Sequence, residues 1–296
     1  MKRCARLLQF SGLMAVAGTA AAASFEFPPL MQPAAGERPG KLIWAELITP
    51  DLAAAEHFYG GLFGWTFREV RTGDSSYAIA KLGDDPVAGI VQRPLRSDRG
   101  SQPAWLTFLS VPNVHPAREA ILAHGGKELA APRAYRSRGQ QALYTDPQGA
   151  VFAILNSHSG DPPDVLAAPG EWIWSALVTR DPDSAAAFYQ EVFGFEVFEL
   201  PSSPRGAHLV LASEQFARAS VNPLPRDDTQ PHWVNFVRVT DVARAAETAR
   251  ALGGRVLVEP HPDRHGGGMV ALLADPAGAA IGVMDWSPDS AAGAAK

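Results

Sequence analysis

The 296-residue sequence contains a single cysteine, Cys4, and only 19% charged residues. One cysteine excludes a scaffold stapled by disulfides and a metal site built from several thiolates. Basic residues number 26 against 31 acidic ones, and this shortage of positive charge argues against a nucleic-acid-binding protein. With 46% apolar residues, the chain is long enough for two packed domains, which excludes a disordered protein.

The sequence also lacks a run of about 20 apolar residues, the length that a membrane-spanning helix needs. A shorter apolar run, residues 7–20, follows three basic residues and precedes the alanines 21–23. This order predicts a cleavable signal peptide over residues 1–23 and a secreted or periplasmic protein. Cleavage would remove Cys4 and change the net charge from −5 to −8, leaving a cysteine-free chain that suits an oxidising compartment.

The rest of the chain repeats itself. The segment that starts at Trp44 (WAELITPD) returns 130 residues later at Trp174 (WSALVTRD). Later landmarks return at spacings of 128–130: Leu62-Phe63-Gly64-Trp65 with Val192-Phe193-Gly194-Phe195, Trp105 with Trp233, and Asp146-Pro147-Gln148-Gly149 with Asp275-Pro276-Ala277-Gly278. This repetition predicts two homologous domains over residues 41–157 and 171–286.

Proline and glycine mark the borders of the two domains. A Pro-rich leader covers residues 24–40, a linker covers residues 158–170, and a small polar tail covers residues 287–296. Each domain itself contains two strand–helix–strand–strand–strand units. In domain 1, Asp51 and Asn113 are predicted helix N-caps because their side-chain oxygens can accept backbone amides of the first turn. Strands are predicted at Thr66–Val70, Tyr77–Lys81, Val87–Gln92, Gln141–Tyr144 and Val151–Leu155.

Four landmarks together resemble the vicinal oxygen chelate superfamily, and more narrowly its tandem glyoxalase/bleomycin-resistance-like proteins. They are Trp-x-Glu-Leu-x-Thr-x-Asp at Trp44, the Phe58-Tyr59 pair, the Leu-Phe-Gly-Trp that ends the first helix, and the Asp-Pro-x-Gly turn. The resemblance covers residues 41–286. It implies an α+β fold of two tandem domains, each a pair of βαβββ units that form an open, cup-shaped mixed sheet with the helices on the outside.

Catalytic members of this superfamily generally hold a divalent metal with His, Glu or Gln side chains. The resemblance implies three ligand positions in each domain, and here they are occupied by Trp44, Leu106, Ala153, Trp174, Val234 and Gly282. None of these side chains coordinates a hard or borderline cation. We therefore expect no metal at the usual place and no other cofactor.

Strand alternation predicts that Trp44 and Glu46 face the cup of domain 1. An aromatic wall beside a carboxylate suits a cationic or polar aromatic ligand. The alternative is that Trp44 fills the core and Glu46 pairs with a neighbouring arginine or a backbone amide. In domain 2, Ala176 replaces the glutamate, so core filling by Trp174 is favoured there.

Two further features lie near the predicted cups. Strand alternation places His232 on the same side of its strand as Val234, so it is predicted to lie at the rim of the domain 2 cup. A rim or packing role is favoured there over catalysis. The arginines at 133, 136 and 138 lie in a loop near the mouth of the domain 1 cup, where a solvated surface is expected and attraction of an anionic ligand is the alternative.

Three functions fit this sequence. The favoured one is an exported, metal-free protein, without assigned catalytic residues, that binds a small molecule in the domain 1 cup. Its candidate ligand-binding residues are Trp44, Glu46, Trp174 and His232. The second is a metal-dependent lyase or dioxygenase with a displaced site, to which His232, Glu46 and Glu171 would contribute. The third is a structural or partner-binding tandem with filled cups.

The expected partner is a small molecule, without nucleic acid and without a membrane span after signal cleavage. A divalent metal is expected only if the displaced-site alternative holds. The identity of the ligand and the oligomeric state stay open.

Overall fold

The computed structural model describes Leu30 and residues 36–72, 75–95, 102–203, 206–225, 229–263 and 267–286. The predicted signal peptide, most of the leader and the tail lie outside these residues. Over the described part of the chain, no helix combines the length and the apolar character needed to cross a membrane.

Domain 1 is one eight-stranded mixed sheet with two helices, in the strand order β2-β3-β4-β1-β5-β8-β7-β6. The elements are β1 (Leu42–Thr49), α1 (Leu52–Phe63), β2 (Thr66–Thr72), β3 (Ser75–Leu82), β4 (Asp85–Gln92), β5 (Ala104–Ser110), α2 (Val114–Ala123), β6 (Lys127–Tyr135), β7 (Gly139–Thr145) and β8 (Val151–Ser157). Strands β1 and β5 pair antiparallel at the centre, while β1–β4 and β5–β8 are parallel pairs.

Domain 2 repeats this arrangement in the order β10-β11-β12-β9-β13-β16-β15-β14. Its elements are β9 (Trp172–Thr179), α3 (Pro182–Phe193), β10 (Glu196–Ser203), β11 (Gly206–Ser213), β12 (Phe216–Pro223), β13 (His232–Arg238), α4 (Val242–Ala251), β14 (Arg255–Pro262), β15 (Met269–Ala274) and β16 (Ala280–Met284). The predicted α+β fold of two tandem βαβββ pairs is confirmed.

The helix ends follow from local side-chain chemistry. The carboxylate of Asp51 accepts the backbone amide of Ala54 at 3.0 Å, and the Asn113 side chain accepts that of His115 at 2.9 Å. Both predicted N-caps are therefore confirmed. Helix α1 ends at Gly64, whose φ of 74° is a left-handed conformation that glycine adopts without a steric penalty.

Strand β6 was not predicted from the sequence. It is one of the two edge strands of the domain 1 sheet, and its register against β7 shifts between Glu128 and Ala130 and again between Ala130 and Arg133. These irregularities interrupt the alternation of apolar and polar residues on which a strand prediction depends.

The two domains pack against each other through their helix-bearing faces. One core cluster joins α1 and the strands beneath it to α4, β15 and β16, and a second joins α2, β7 and β8 to α3 and its strands. Where the two sheets meet, the Thr107 hydroxyl donates to the Asn235 side-chain oxygen at 2.9 Å, and the Ser175 hydroxyl donates to the same oxygen at 2.7 Å. The helices therefore lie outside the cups but inside the molecule.

The repeated Phe-Tyr and Asp-Pro-x-Gly landmarks connect the domains. Tyr59 of α1 donates its hydroxyl to Asp275 of domain 2 at 3.1 Å, and Tyr189 of α3 donates to Asp146 of domain 1 at 3.3 Å. The other carboxylate oxygen of each aspartate accepts backbone amides of its own turn. Each aspartate thus holds a turn in one domain and a tyrosine of the other.

Candidate functional site

Each sheet has one face packed on helices and an opposite face, which we call cup face 1 in domain 1 and cup face 2 in domain 2. In β1, Ala45 and Leu47 pack beneath α1, so that Trp44 and Glu46 lie on the other side. The strand registers place six pairs of residues at equivalent positions of cup faces 1 and 2: Trp44 and Trp174, Glu46 and Ala176, Tyr77 and His208, Gly89 and Ser220, Phe108 and Phe236, and Ala153 and Gly282.

Cup face 1 is filled by side chains of the protein. Trp44 has 1% and Glu46 has 5% of its surface exposed. Trp44 belongs to a buried cluster that contains Leu30 of the leader and also Ile43, Leu106, Phe108, Leu143, Ala153 and Leu155. This packing agrees with the interpretation that Trp44 fills the core. A ligand would reach Glu46 only after some of these side chains moved.

Glu46 is held by hydrogen bonds from two aromatic side chains. The Tyr77 hydroxyl donates to its Oε1 at 3.1 Å, and the Trp44 indole Nε1 donates to the same oxygen at 3.4 Å. Burial raises the pKa of Glu46 above its ordinary value, and the positive charge of Arg138 opposes this rise. Glu46 is thus a buried carboxylate with local partners.

Arg138 corrects the expectation of a solvated arginine cluster. It is 1% exposed, and its guanidinium carbon lies 3.9 Å from the centroid of the Trp44 ring. This distance is that of a close cation–π contact in a desolvated setting. No sequence pattern signals this contact, because the two residues are 94 positions apart and Arg138 lies in the hairpin turn between β6 and β7.

Cup face 2 is more open than its counterpart. Trp174 and Phe236 are only half-buried, whereas the equivalent Trp44 and Phe108 are each 1% exposed. At one edge of the domain 2 sheet, Phe198 on β10 is 52% exposed. The expectation that Trp174 fills a core is therefore wrong, because the residue is only partly buried. The sequence could not show this difference, because both tryptophans occupy the same place in the repeat.

A chain of hydrogen bonds crosses cup face 2. The Trp174 indole Nε1 donates to the Ser220 hydroxyl oxygen at 3.1 Å, and the Asn222 side-chain amide donates to the same oxygen at 3.0 Å. His208 Nδ1 in turn donates to the Asn222 side-chain oxygen at 3.0 Å. Sequence reasoning missed His208, Ser220 and Asn222, which become visible only when β11 and β12 are aligned beside β9.

The residues at the implied metal positions do not fit a metal. In domain 1 these positions lie within the apolar cluster of Trp44, Leu106 and Ala153. In domain 2 a Cβ atom added to Gly282 would lie 2.1 Å from the Phe236 ring, so the ring occupies the space of a ligating side chain. The described residues also contain no group of three or more His, Cys, Asp or Glu side chains placed to hold a metal ion.

The residues suggested for a displaced metal site are not brought together. Glu46 is buried in domain 1, while Glu171 accepts the backbone amide of Ala168 at 2.6 Å in the linker. His232 begins β13 and pairs with Val178, and its Nδ1 donates to the Gln230 carbonyl at 2.7 Å. His232 therefore lies at the end of cup face 2, four residues along β13 from Phe236.

Comparison with known proteins shows one family over both domains. Residues 41–154 and 173–283 each match the model of the glyoxalase/bleomycin resistance protein/dioxygenase superfamily. The chain is 30% identical over 253 residues to the proposed glyoxylase CFP32 of Mycobacterium tuberculosis, covering 85% of this chain and 97% of that protein. It is 27% identical over 271 residues to the anthracycline biosynthesis protein DauV of Streptomyces sp. strain C5, covering 83% and 94%.

Solved structures show the same fold at lower identity. The Mn(II)-bound glyoxalase from Novosphingobium aromaticivorans aligns with a TM-score of 0.61 at 16% identity, over 84% of this chain and 83% of that one. The 2,3-dioxygenase LapB from Pseudomonas sp. KL28 aligns with a TM-score of 0.59 at 15% identity, over 83% and 91%. These two likenesses establish the fold and leave the chemistry open.

Proposed function

Since the chain belongs to the glyoxalase/bleomycin resistance protein/dioxygenase superfamily, we propose that it binds a small organic molecule on cup face 2 without a protein-bound metal. The contrast between the two tryptophans carries this proposal. Trp44 is buried beneath Arg138, whereas Trp174 is half-buried on a face whose neighbours include the half-buried Phe236. Partly accessible aromatic rings with a few polar groups are typical of small-molecule sites.

The proposal moves the expected site from domain 1 to domain 2. It keeps Trp174 as a ligand-contacting residue and His232 as a rim residue, and it assigns Trp44 and Glu46 to the packed interior of domain 1. The anthracycline biosynthesis relatives support an aromatic ligand, because anthracyclines are polycyclic aromatic molecules that carry oxygen groups.

Replacing Trp174 by leucine is expected to weaken the binding of aromatic small molecules by about tenfold or more, because a large aromatic contact is lost. Binding is measured by calorimetry for hits from a thermal-shift screen of aromatic compounds. The control is Phe216→Leu, which removes an aromatic side chain that is 47% exposed at the β11–β12 hairpin. Equal affinity of Trp174→Leu and wild type would contradict the proposed site.

Metal analysis of the same preparation tests the metal-free part of the proposal. We expect substoichiometric metal, and we expect a chelator to leave ligand affinity unchanged. Stoichiometric Ni, Zn, Fe or Mn with chelator-sensitive binding would instead support the lyase or dioxygenase alternative with a displaced site.

We propose that the protein acts outside the cytoplasm. The basic, apolar and small-residue regions of residues 1–23 support export, and so does the absence of cysteine from the remaining chain. N-terminal sequencing of the protein from the extracytoplasmic fraction of a bacterial host is expected to begin near Ser24. A cytoplasmic protein that retains Met1 would contradict export.

A further inference from the structure

The Ser220 hydroxyl is the polar centre of cup face 2. It accepts one hydrogen bond from the Trp174 indole at 3.1 Å and another from the Asn222 amide at 3.0 Å. The orientation of the Asn222 amide is consistent with its other contact, since its oxygen accepts from His208 Nδ1. Both donors therefore point at the same serine oxygen.

With these two hydrogen bonds formed, the Ser220 hydroxyl can still donate its own proton. A hydroxyl has two acceptor lone pairs and one proton to donate, and the two incoming hydrogen bonds occupy both lone pairs. Within the described part of the chain, the Ser220 hydroxyl accepts these two hydrogen bonds and donates none. Since Ser220 is only partly buried, its proton is available to a bound molecule.

Cup face 1 shows the opposite arrangement at the same positions. Gly89 stands where Ser220 stands in domain 2, and a Cβ added there would lie 2.1 Å from the Tyr77 hydroxyl. The Trp44 indole donates to Glu46 and not to a serine. Domain 2 has Ala176 in place of Glu46, so no carboxylate stands beside Trp174 at this position.

We infer, building on the proposed function, that the ligand of cup face 2 is an aromatic molecule with an uncharged or anionic oxygen acceptor. The ring packs on Trp174, and the oxygen accepts the hydrogen bond of Ser220. An ammonium group is rejected, since Ser220 has no lone pair to offer it and Ala176 supplies no negative charge. This reverses the cationic ligand that Trp44 and Glu46 suggested for domain 1.

Three naphthalenes of matched shape test this class of ligand. The probes are 2-acetonaphthone, which carries a carbonyl oxygen, 2-isopropylnaphthalene, which carries no polar atom, and 1-(2-naphthyl)ethylamine, which is an ammonium ion at neutral pH. A calorimetric titration of the full chain gives the affinity for each probe. We expect the ketone to bind about fivefold more tightly than the hydrocarbon, the ratio for one net hydrogen bond, and the ammonium to bind most weakly.

Replacing Ser220 by aspartate converts the donor into an acceptor. The aspartate can still accept from Trp174 and Asn222, but it has no proton to give and adds a negative charge. We expect the ranking to invert, so that the ammonium probe binds most tightly and the ketone loses its advantage. Ser220→Thr keeps the hydroxyl and is expected to keep the wild-type ranking, as is Ser184→Ala, which removes an exposed serine from α3.

The outcomes separate this inference from the proposed function. If wild type prefers the ammonium probe, or if Ser220→Asp leaves the ranking unchanged, the assignment to Ser220 is wrong. Weakening of every probe by Trp174→Leu would then still support cup face 2 as the site. If none of the three probes binds at millimolar concentration, the proposed function is contradicted as well.

Discussion

Replacing Arg138 by methionine is expected to lower the free energy of unfolding by about 3–5 kcal/mol, the range for removing one member of a buried charge pair. The guanidinium packs at 3.9 Å on the Trp44 ring, and its positive charge opposes the burial that raises the pKa of Glu46. Methionine has a similar volume, so the loss reports the charge and not a cavity. Urea denaturation gives the measurement.

The loss is expected to depend on pH. Without Arg138, the pKa of Glu46 rises further above its unfolded value, so the folded state takes up a proton more readily. A carboxyl whose pKa is raised on folding contributes stability at low pH and loses that contribution as the pH rises through the folded pKa. The deficit of Arg138→Met should therefore be largest at neutral pH and shrink towards acid pH.

A matched substitution two residues away provides the control. Arg136 is exposed, and Arg136→Met should change the free energy of unfolding by no more than about 0.5 kcal/mol. An equal effect of the two substitutions, or a pH-independent deficit for Arg138→Met, would show that Arg138 does not act on Glu46.

Replacing Tyr59 by phenylalanine is expected to lower the free energy of unfolding by about 2–3 kcal/mol, since it leaves buried polar groups unpaired. The Tyr59 hydroxyl donates to Asp275 of domain 2 and accepts the Trp105 indole at 2.9 Å. Asp275 is almost completely buried, and burial raises its pKa. Removing the hydroxyl thus takes one hydrogen-bond donor from the Asp275 carboxyl and the acceptor from the Trp105 indole.

Phenylalanine substitutions at two further tyrosines provide the comparison for the change in unfolding free energy of Tyr59→Phe. Tyr189→Phe should cost a similar amount, because Tyr189 donates to Asp146 and accepts the Trp233 indole at 3.0 Å in the mirrored arrangement. Tyr144→Phe should be neutral or stabilising, since its buried hydroxyl has no hydrogen-bond partner among the described residues. If all three substitutions had the same effect, the hydrogen bonds between the domains would not be its cause.

The cup-facing sides of the strands were predictable, but the state of each cup was not. Alternation in β1 placed Trp44 and Glu46 opposite the helix, and the structure places Ala45 and Leu47 under α1 as expected. Strand alternation predicts the face of the sheet on which a side chain lies, but it does not predict which other residues pack over that side chain. Within the described part of the chain, Arg138 packs over the Trp44 ring, whereas Trp174 is only half-buried, although the repeat gives the two tryptophans the same position.

The polar groups of cup face 2 show the same limit. Ser220 and Asn222 lie on β12 and His208 on β11, and none of them stands in a motif that signals a site. They become one hydrogen-bonded chain because β12 pairs in parallel with β9 and antiparallel with β11, a register that depends on the whole sheet. His232, which strand parity singled out, instead lies at the end of its strand and bonds to a neighbouring carbonyl.

The sequence by itself determined the repeat, the family and the residue types at the metal-ligand positions that the resemblance implies, because spacing and residue type are properties of the chain. The predicted signal peptide, with its lone cysteine, also depends on the sequence alone. Only the tertiary structure decided which cup is filled and which is partly open. That difference arises from contacts between residues far apart in the chain, such as Arg138 with Trp44, and each such contact forms only when the whole sheet has folded.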